Sequence, residues 1–407
     1  MTSAAPRGRW AVVAAFMLAY WLSFFYRSTN AVIADDLTRD IGLDPGALGL
    51  MTSLFFLAFA AVQLPLGSAL DRYGARFVTP ALLLAAVAGS LVFSLATTVS
   101  GLALGRALIG VGMAGVLMGA LHALSSRFDP RSFAALSSTF VGVGSLGALA
   151  AATPLAWLAD AIGWRTVFAW GALAVAIAAS AIVLVAREPH RREPRAGAGA
   201  DAATATPTGF AVVFRDLAFW RLALLTFAVT GGLFAWQGLW AGPLLTRGLG
   251  LESLQAAHVL LAFGLGVTGG FLGSGAVALR LGVPRTLALS GAAFFASLVL
   301  WCLTTPAWPL YALTALAAVT GLSGASNVLG YAHARASFPH MPGRAVTAVN
   351  LFGIGGGAFL QWGLGIVIGA TGGGELASFR AALALTAGLA LIAVVTFTPI
   401  VRAHGHP

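Results

Sequence analysis

The chain alternates long apolar runs with short polar breaks, and it does so from end to end. Runs of about 20 apolar residues are what a helix needs to cross a bilayer. They lie near residues 10–34, 46–69, 76–98, 102–125, 132–158 and 165–186, and then 218–245, 254–279, 285–304, 308–334, 344–370 and 376–400. No backbone N–H or C=O can stay unpaired in lipid, so each run is predicted to be a helix. The pattern predicts an all-α integral membrane protein of twelve transmembrane helices in two pseudo-symmetric six-helix bundles. The first run is too long for a cleavable leader and has no small-residue cleavage site, so it reads as the first spanning helix.

One break is longer than the rest. Residues 187–216 begin Arg187-Glu188-Pro189-His190-Arg191-Arg192 and pass into an Ala/Gly/Thr-rich stretch, Ala196 to Gly209. This composition reads as a flexible linker. It divides the chain into an N-terminal bundle (1–186), a linker (187–216) and a C-terminal bundle (217–407). Two internal matches support a duplication. Gly67, Arg72 and Gly74 correspond to Gly275, Arg280 and Gly282, and Gly142-Val143-Gly144 corresponds to Gly353-Ile354-Gly355. Both pairs are separated by about 210 residues, as a repeat requires. Two six-helix repeats are one known transporter plan.

Composition agrees. Hydrophobic residues make up 59% of the 407 residues and charged residues 9%, which excludes a soluble globular domain. The net charge of +10 comes from 23 basic residues against 13 acidic ones, and every basic residue is arginine. Seventeen arginines fall on the side of the two termini. Arg39, Arg165, Arg247 and Arg380 fall on the other. That bias places both termini in the cytoplasm, with the chain multi-pass in the inner membrane. Charge is thus a topology signal. No basic patch interleaved with aromatics points to nucleic acid. Cys302 is the single cysteine, so neither an intrachain disulfide nor a thiolate cluster is available. Met113 and Met118 are badly spaced for one soft-metal site, and no metal or other cofactor is expected. Glycine runs such as Gly353 to Gly357 have no Gly-Lys-Ser/Thr ending, which argues against a nucleotide-driven pump.

The polar residues inside the runs are the candidate site. Arg27 lies 17 residues after Trp10, roughly 25 Å along helix 1. A guanidinium at that depth costs several kcal/mol, about 2.5–3.5 on insertion scales, and ordinarily faces a cavity or a partner. Tyr20, Ser23, Arg27 and Asn30 share one helical face. Arginine can bind a carboxylate or phosphate through two parallel hydrogen bonds. The alternative is that Arg27 snorkels or pairs with Asp35 or Asp36. Helix 7 offers Thr226, Thr230, Trp236 and Gln237, and helix 10 offers Thr320, Ser323, Asn327 and Tyr331. These read either as contacts to a solute or as interhelical glue. His122, His258 and His333 are the groups within the runs that titrate near neutrality, each more simply read as packing. No Asp or Glu lies in the middle of a run, so a carboxylate proton relay has no obvious carrier except Asp35 or Asp36.

The stretch Gly67-Ser68-Ala69-Leu70-Asp71-Arg72-Tyr73-Gly74-Ala75-Arg76 matches the helix 2–3 loop signature of the major facilitator superfamily. Arg106-Ala107-Leu108-Ile109-Gly110-Val111-Gly112 resembles that family's helix 4 signature, and Gly163-Trp164-Arg165 fits the start of its helix 6. The resemblance covers essentially the whole chain. It implies a monomeric transporter working by alternating access on a small-molecule solute, with or without a coupling ion, around a cavity lined by helices 1, 4, 7 and 10. The run Phe24 to Ala31 further resembles helix 1 of the family's organic-anion and organophosphate exchangers, which implies that Arg27 binds substrate. Those exchangers carry a second arginine in helix 7. Here Trp236-Gln237 stands near that place. The resemblance also implies a gating role for Gly67, Asp71, Arg72, Gly74 and Arg76, and a role in proton coupling or gating for Arg106, whose alternative is a structural pairing with polar backbone. Asp71 is expected to cap the N-terminus of helix 11 near Arg344, with Arg127 or Arg131 as a further partner. The second loop, with Leu279 for the acid, reads as a relic.

The function expected is secondary or facilitative transport of a small organic anion, not enzymatic catalysis. The alternative is an efflux antiporter for apolar compounds. Helix 5 reads Gly142-Val143-Gly144-Ser145-Leu146-Gly147, without the Gly-Pro-x-x-Gly-Gly frame of the family's drug antiporters. A transport-dead sensor is a third possibility; such sensors add a soluble signalling domain.

Overall fold

The computed structural model describes residues 6–125, 127–128, 130–186, 212–339, 341–371 and 374–403. Among these residues eleven helices are long and apolar enough to cross a membrane, and a helix pair bent by 40° makes a twelfth. The first is α1, Pro6–Ser28, prolonged after Thr29 as Asn30–Ile41. Then follow α2 (Pro45–Tyr73), α3 (Ala75–Leu95) and α4 (Val99–Ala114 and Val116–Ser125). Next come α5 (Pro130–Ala150 and Thr153–Ile162) and α6 (Trp164–Val185). After the linker, α7 starts at Leu217–Ala235 and continues through π turns Trp236–Trp240 and Leu244–Gly248, separated by Ala241–Pro243. The remaining elements are α8 (Ser253–Leu281), α9 (Val283–Cys302) and α10 (Leu310–Ala325, then a 3₁₀ turn Ser326–Val328, then Leu329–Ser337). The last two are α11 (Pro342–Ala370) and α12 (Glu375–Ala403).

The runs read from hydropathy reappear in place. The differences are at the polar ends and at breaks. Helix α1 reaches Ile41, beyond the apolar run, because its extension is amphipathic and carries Asp35, Asp36 and Arg39 on a polar side. The α5 bend precedes Pro154, which has no N–H to continue the ladder. Pro243 explains the widened turns of α7 in the same way. Of the expected linker, residues 187–211 lie outside the described residues. Its last residues fold against the start of α7, where Trp220 Nε1 donates to the Phe214 carbonyl at 2.7 Å.

The chain forms two compact units. One comprises residues 1–27, 54–150 and 158–204, and the other 28–53, 151–157 and 205–407. The same packing devices recur in each. In the first unit a side chain on Gly147 would run into the Trp21 carbonyl, and one on Gly110 into that of Phe55. In the second, Gly356 crowds the Phe227 carbonyl and Gly321 that of Phe263. Lipid supplies no hydrophobic drive between helices, so such close backbone approach is what binds them.

The turns repeat too. Gly74 has φ 76° and ψ 157°, Gly163 79° and 145°, and Gly282 81° and 152°. Only glycine takes this region readily. Gly374, before α12, also has positive φ. Near three of these turns an arginine reaches the terminal carbonyl of a neighbouring helix. Arg76 Nε donates to the Val183 carbonyl at 3.0 Å, Arg165 Nη2 to that of Ala96 at 3.3 Å, and Arg380 Nη2 to that of Thr304 at 2.7 Å. Helices α3 and α6 are therefore strapped together at both ends. The second-copy loop keeps the working turn at Gly282; Leu279, in the place of Asp71, is 91% exposed.

Candidate functional site

Three groups meet in the first unit. Arg27 is half-buried, and its guanidinium carbon lies 4.9 Å from the Phe24 ring centroid, 5.5 Å from Phe59 and 5.9 Å from Phe56. Phe24 comes from the preceding turn of α1, and the other two lie one turn apart on α2. A cation held among three ring faces is attracted by their quadrupoles and keeps its planar fork oriented. Tyr20 is buried one side of α1 away. It stacks on Phe140 at 5.0 Å, and Gly144 leaves room for its ring. This gives Gly144 of helix 5 a packing role.

Arg106 is fully buried. Its Nη1 donates to the Tyr26 carbonyl at 2.8 Å, and its guanidinium carbon lies 4.8 Å from the Phe55 ring centroid. Nε and Nη2 have no hydrogen-bond partner among the described residues. Tyr26 is gripped from the other side as well: its hydroxyl bonds Ser90 Oγ at 2.7 Å, and Ser90 donates to the Phe168 carbonyl at 2.7 Å. The residue before Arg27 is thus fixed at both backbone and side chain, which limits the freedom of Arg27 itself.

The second unit contains the remaining candidates. Asn30 is fully buried, and its Nδ2 donates to Thr52 Oγ1 at 2.9 Å, so it binds α1 to α2. Trp236 Nε1 donates to Thr386 Oγ1 at 3.2 Å inside the C-terminal helices. Gln237 is half-buried in the first π turn, with no hydrogen-bond partner among the described residues. Asn327 sits in the 3₁₀ turn of α10, and its Nδ2 donates to Thr230 Oγ1 at 2.8 Å. Tyr331 donates to Asn350 Oδ1 at 2.7 Å, adding a side chain from α11 that periodicity on α7 and α10 did not reveal. The stripes on helices 7 and 10 therefore join as Thr230–Asn327 and extend to Asn350.

A cluster not foreseen lies at the far ends of the same helices. Asp35 accepts from Thr246 Oγ1 at 2.6 Å and from Arg247 Nε at 2.5 Å. Close by, a side chain on Gly242 would overlap the Ala31 carbonyl, and Trp240 Nε1 donates to the Gln361 carbonyl at 2.9 Å. Asp35 thus has its own partners. Asp36 pairs with Arg39 at 3.2 Å. Burial raises the Asp36 carboxyl above the ordinary carboxylate range; Arg39 opposes this, and Asp40 and Asp35 add to it.

Of the loop residues, Gly67 is exposed on α2, and Arg72 is exposed with its guanidinium over Tyr73 at 5.2 Å. The Asp71 side chain and that of Arg131 lie outside the described residues. Arg127 Nη1 donates to the Ala123 carbonyl at 2.7 Å. Arg344 is half-buried in the first turn of α11. No group of three metal-ligating side chains occurs among the described residues.

A family model described as Major Facilitator Superfamily matches residues 16–361. Among curated proteins, the chain is 30% identical over 170 residues to a probable galactarate/D-glucarate transporter of Bacillus subtilis, covering 39% of this chain and 36% of that one. It is 28% identical over 140 residues to a nitrate/nitrite transporter of Picosynechococcus, covering 34% and 26%. It is 25% identical over 268 residues to a putative tartrate transporter of Agrobacterium vitis, covering 61% of each. The chain thus spans between about a quarter and three-fifths of these relatives. Among solved structures it superposes on a bacterial homologue of the human lysosomal transporter Spinster with TM-score 0.74, 20% identity and 98% of each chain covered. A point mutant of the nucleoside transporter NupG gives TM-score 0.77 at 14% identity, with 95% of this chain and 99% of that one covered.

Proposed function

Because this chain belongs to the Major Facilitator Superfamily, we propose that it carries a small organic anion across the inner membrane by alternating access. The observation that carries the reading is Arg27, a guanidinium in the last turn of the Pro6–Ser28 segment of α1, held among Phe24, Phe56 and Phe59. The rings exclude water from its flanks, which strengthens any charge-assisted bond its fork makes to a carboxylate. Similarity to carriers named for galactarate, glucarate, tartrate and nitrate supports an anion. Tyr331, Asn327 and Gln237 are the proposed contacts from the C-terminal helices, where hydroxyl and amide groups suit a hydroxylated solute. Tyr20, Asn30 and Trp236 support this site by packing α1 to α5, α1 to α2 and α7 to α12.

The two bundles, 1–186 and 217–407, are the proposed moving bodies, joined by residues 187–216, with both termini in the cytoplasm. Gly67, Asp71, Arg72 and Arg344 are the proposed gating residues.

A thermal-shift panel of carboxylates, nitrate and phosphate esters on purified protein identifies the ligand, since a compound that binds only the folded state stabilises it. Uptake of that compound into reconstituted vesicles then tests transport. Normal uptake by the Arg27→Ala variant refutes the anion site.

A further inference from the structure

Helix α7 is built with two π turns, and they do not lie at random. Ala241 donates its N–H to the Trp236 carbonyl and Leu249 to that of Leu244, each five residues back. Pro243 stands between them, without an N–H for the ladder. A π turn holds one residue more than an α turn, so returning one of these turns to α rotates everything beyond it by about 100°.

Three observations bear on that rotation. The side chains of Thr246 and Arg247, beyond the first turn and inside the second, both point to Asp35 on the α1 extension. Gly242, between the turns, lies against the Ala31 backbone with no room for a Cβ. Behind the turns is an apolar cavity of about 10 Å³, walled by Trp236, Ala241, Leu244 and Leu245 of α7 with Ala317 of α10 and Leu383 of α12. The void has room for about one water, so it eases only the start of that turn, and the walls on α10 and α12 must give way for the rest.

We propose that α7 is a register switch. In the π form it presents Thr246 and Arg247 to Asp35 and holds the ends of α1 and α7 together. In the α form it swings them away and frees those ends. The proposal rests on the transporter reading for its purpose but not for its test.

The test is a distance measurement without substrate. Cys302→Ser gives a cysteine-free background in one step. Spin labels at Arg39, whose side chain is 73% exposed, and at Leu254 at the start of α8 report the separation of the two ends by pulsed electron resonance. Asp35→Asn and Pro243→Ala, which restores the missing donor, are each expected to raise the wide population at least threefold. Their combination is expected to add little, because both act on one switch. Ala317→Val fills the cavity and is expected to narrow the distribution. The exchange Asp35→Arg with Arg247→Asp is expected to restore the narrow state, which separates loss of the latch from misfolding. Widening by Asp35→Asn with a wild-type distribution for Pro243→Ala and Ala317→Val overturns the register switch, as does no widening by either. A positive result with no anion transported would instead count against the substrate assignment alone.

Discussion

Replacing Arg27 by lysine keeps the charge and removes the planar fork, and the structure sets the size of the effect. Three ring centroids lie within 6 Å of the guanidinium carbon. A flexible ammonium cannot stack on all of them, and each lost contact costs about 0.5–1 kcal/mol. Lysine also gives up one of two charge-assisted hydrogen bonds to a carboxylate, worth about 1.5–3 kcal/mol. The ring contacts exist with and without ligand and so largely cancel, which leaves a loss of roughly 1.5–3 kcal/mol, or about 12- to 140-fold in Kd. Titration calorimetry on purified protein, with the anion taken from the thermal-shift panel, measures it. Phe56→Ala removes one ring and leaves the fork, and is expected to cost at most about fivefold. If Arg27→Lys binds within twofold of wild type, the fork does not engage the anion and the reasoning fails. If Phe56→Ala matches Arg27→Lys, the rings rather than the fork set the affinity.

Other outcomes follow from single features. Gly74→Ala forces a side chain into the φ 76°, ψ 157° turn, and is expected to cost about 1–3 kcal/mol; thermal unfolding in detergent measures it, and Gly282→Ala in the second loop is expected to match. Arg380→Gln leaves the Thr304 carbonyl just past α9 without its 2.7 Å donor and is expected to lower the unfolding temperature without changing ligand affinity. The Asp36 carboxyl is raised, mainly by burial, so its native form binds its proton more tightly than the unfolded chain does. Its share of stability is therefore full below the ordinary carboxylate range and is lost as pH rises through the raised value. Asp36→Asn is expected to flatten that decline; unfolding temperatures of both proteins across the acid range read it directly.

Hydropathy revealed the spans because lipid forces every apolar run into a helix. It did not reveal the breaks, because Pro243, Pro154 and the Ser326–Val328 turn change the hydrogen-bond ladder without changing hydropathy. Arg27 was legible as a charge inside the first apolar run. Its cage was not, since Phe56 and Phe59 lie on another helix and look like ordinary lipid-facing or core residues. Asn30 shared the Arg27 face by periodicity, yet it is consumed by Thr52, a partner only tertiary packing supplies. The Asp35 cluster escaped notice for the same reason, because Arg247 is about 210 residues away in sequence. Of the loop signature, Gly74 and Arg76 are explained by turn geometry and by the Val183 carbonyl. The four arginines on the side away from the termini also make sense only in three dimensions. Arg39 and Arg247 pair with Asp36 and Asp35, and Arg165 and Arg380 close helix ends.

The double strap between α3 and α6 has a consequence for biosynthesis. Arg76 emerges from the ribosome about 90 residues before Arg165, which at about 5–20 residues per second is roughly 5–18 s. Throughout that interval the Ala96 carbonyl at the end of α3 lacks its Arg165 donor. Both straps join α3 to α6, so neither end of α3 is held in this way until α6 has been synthesised.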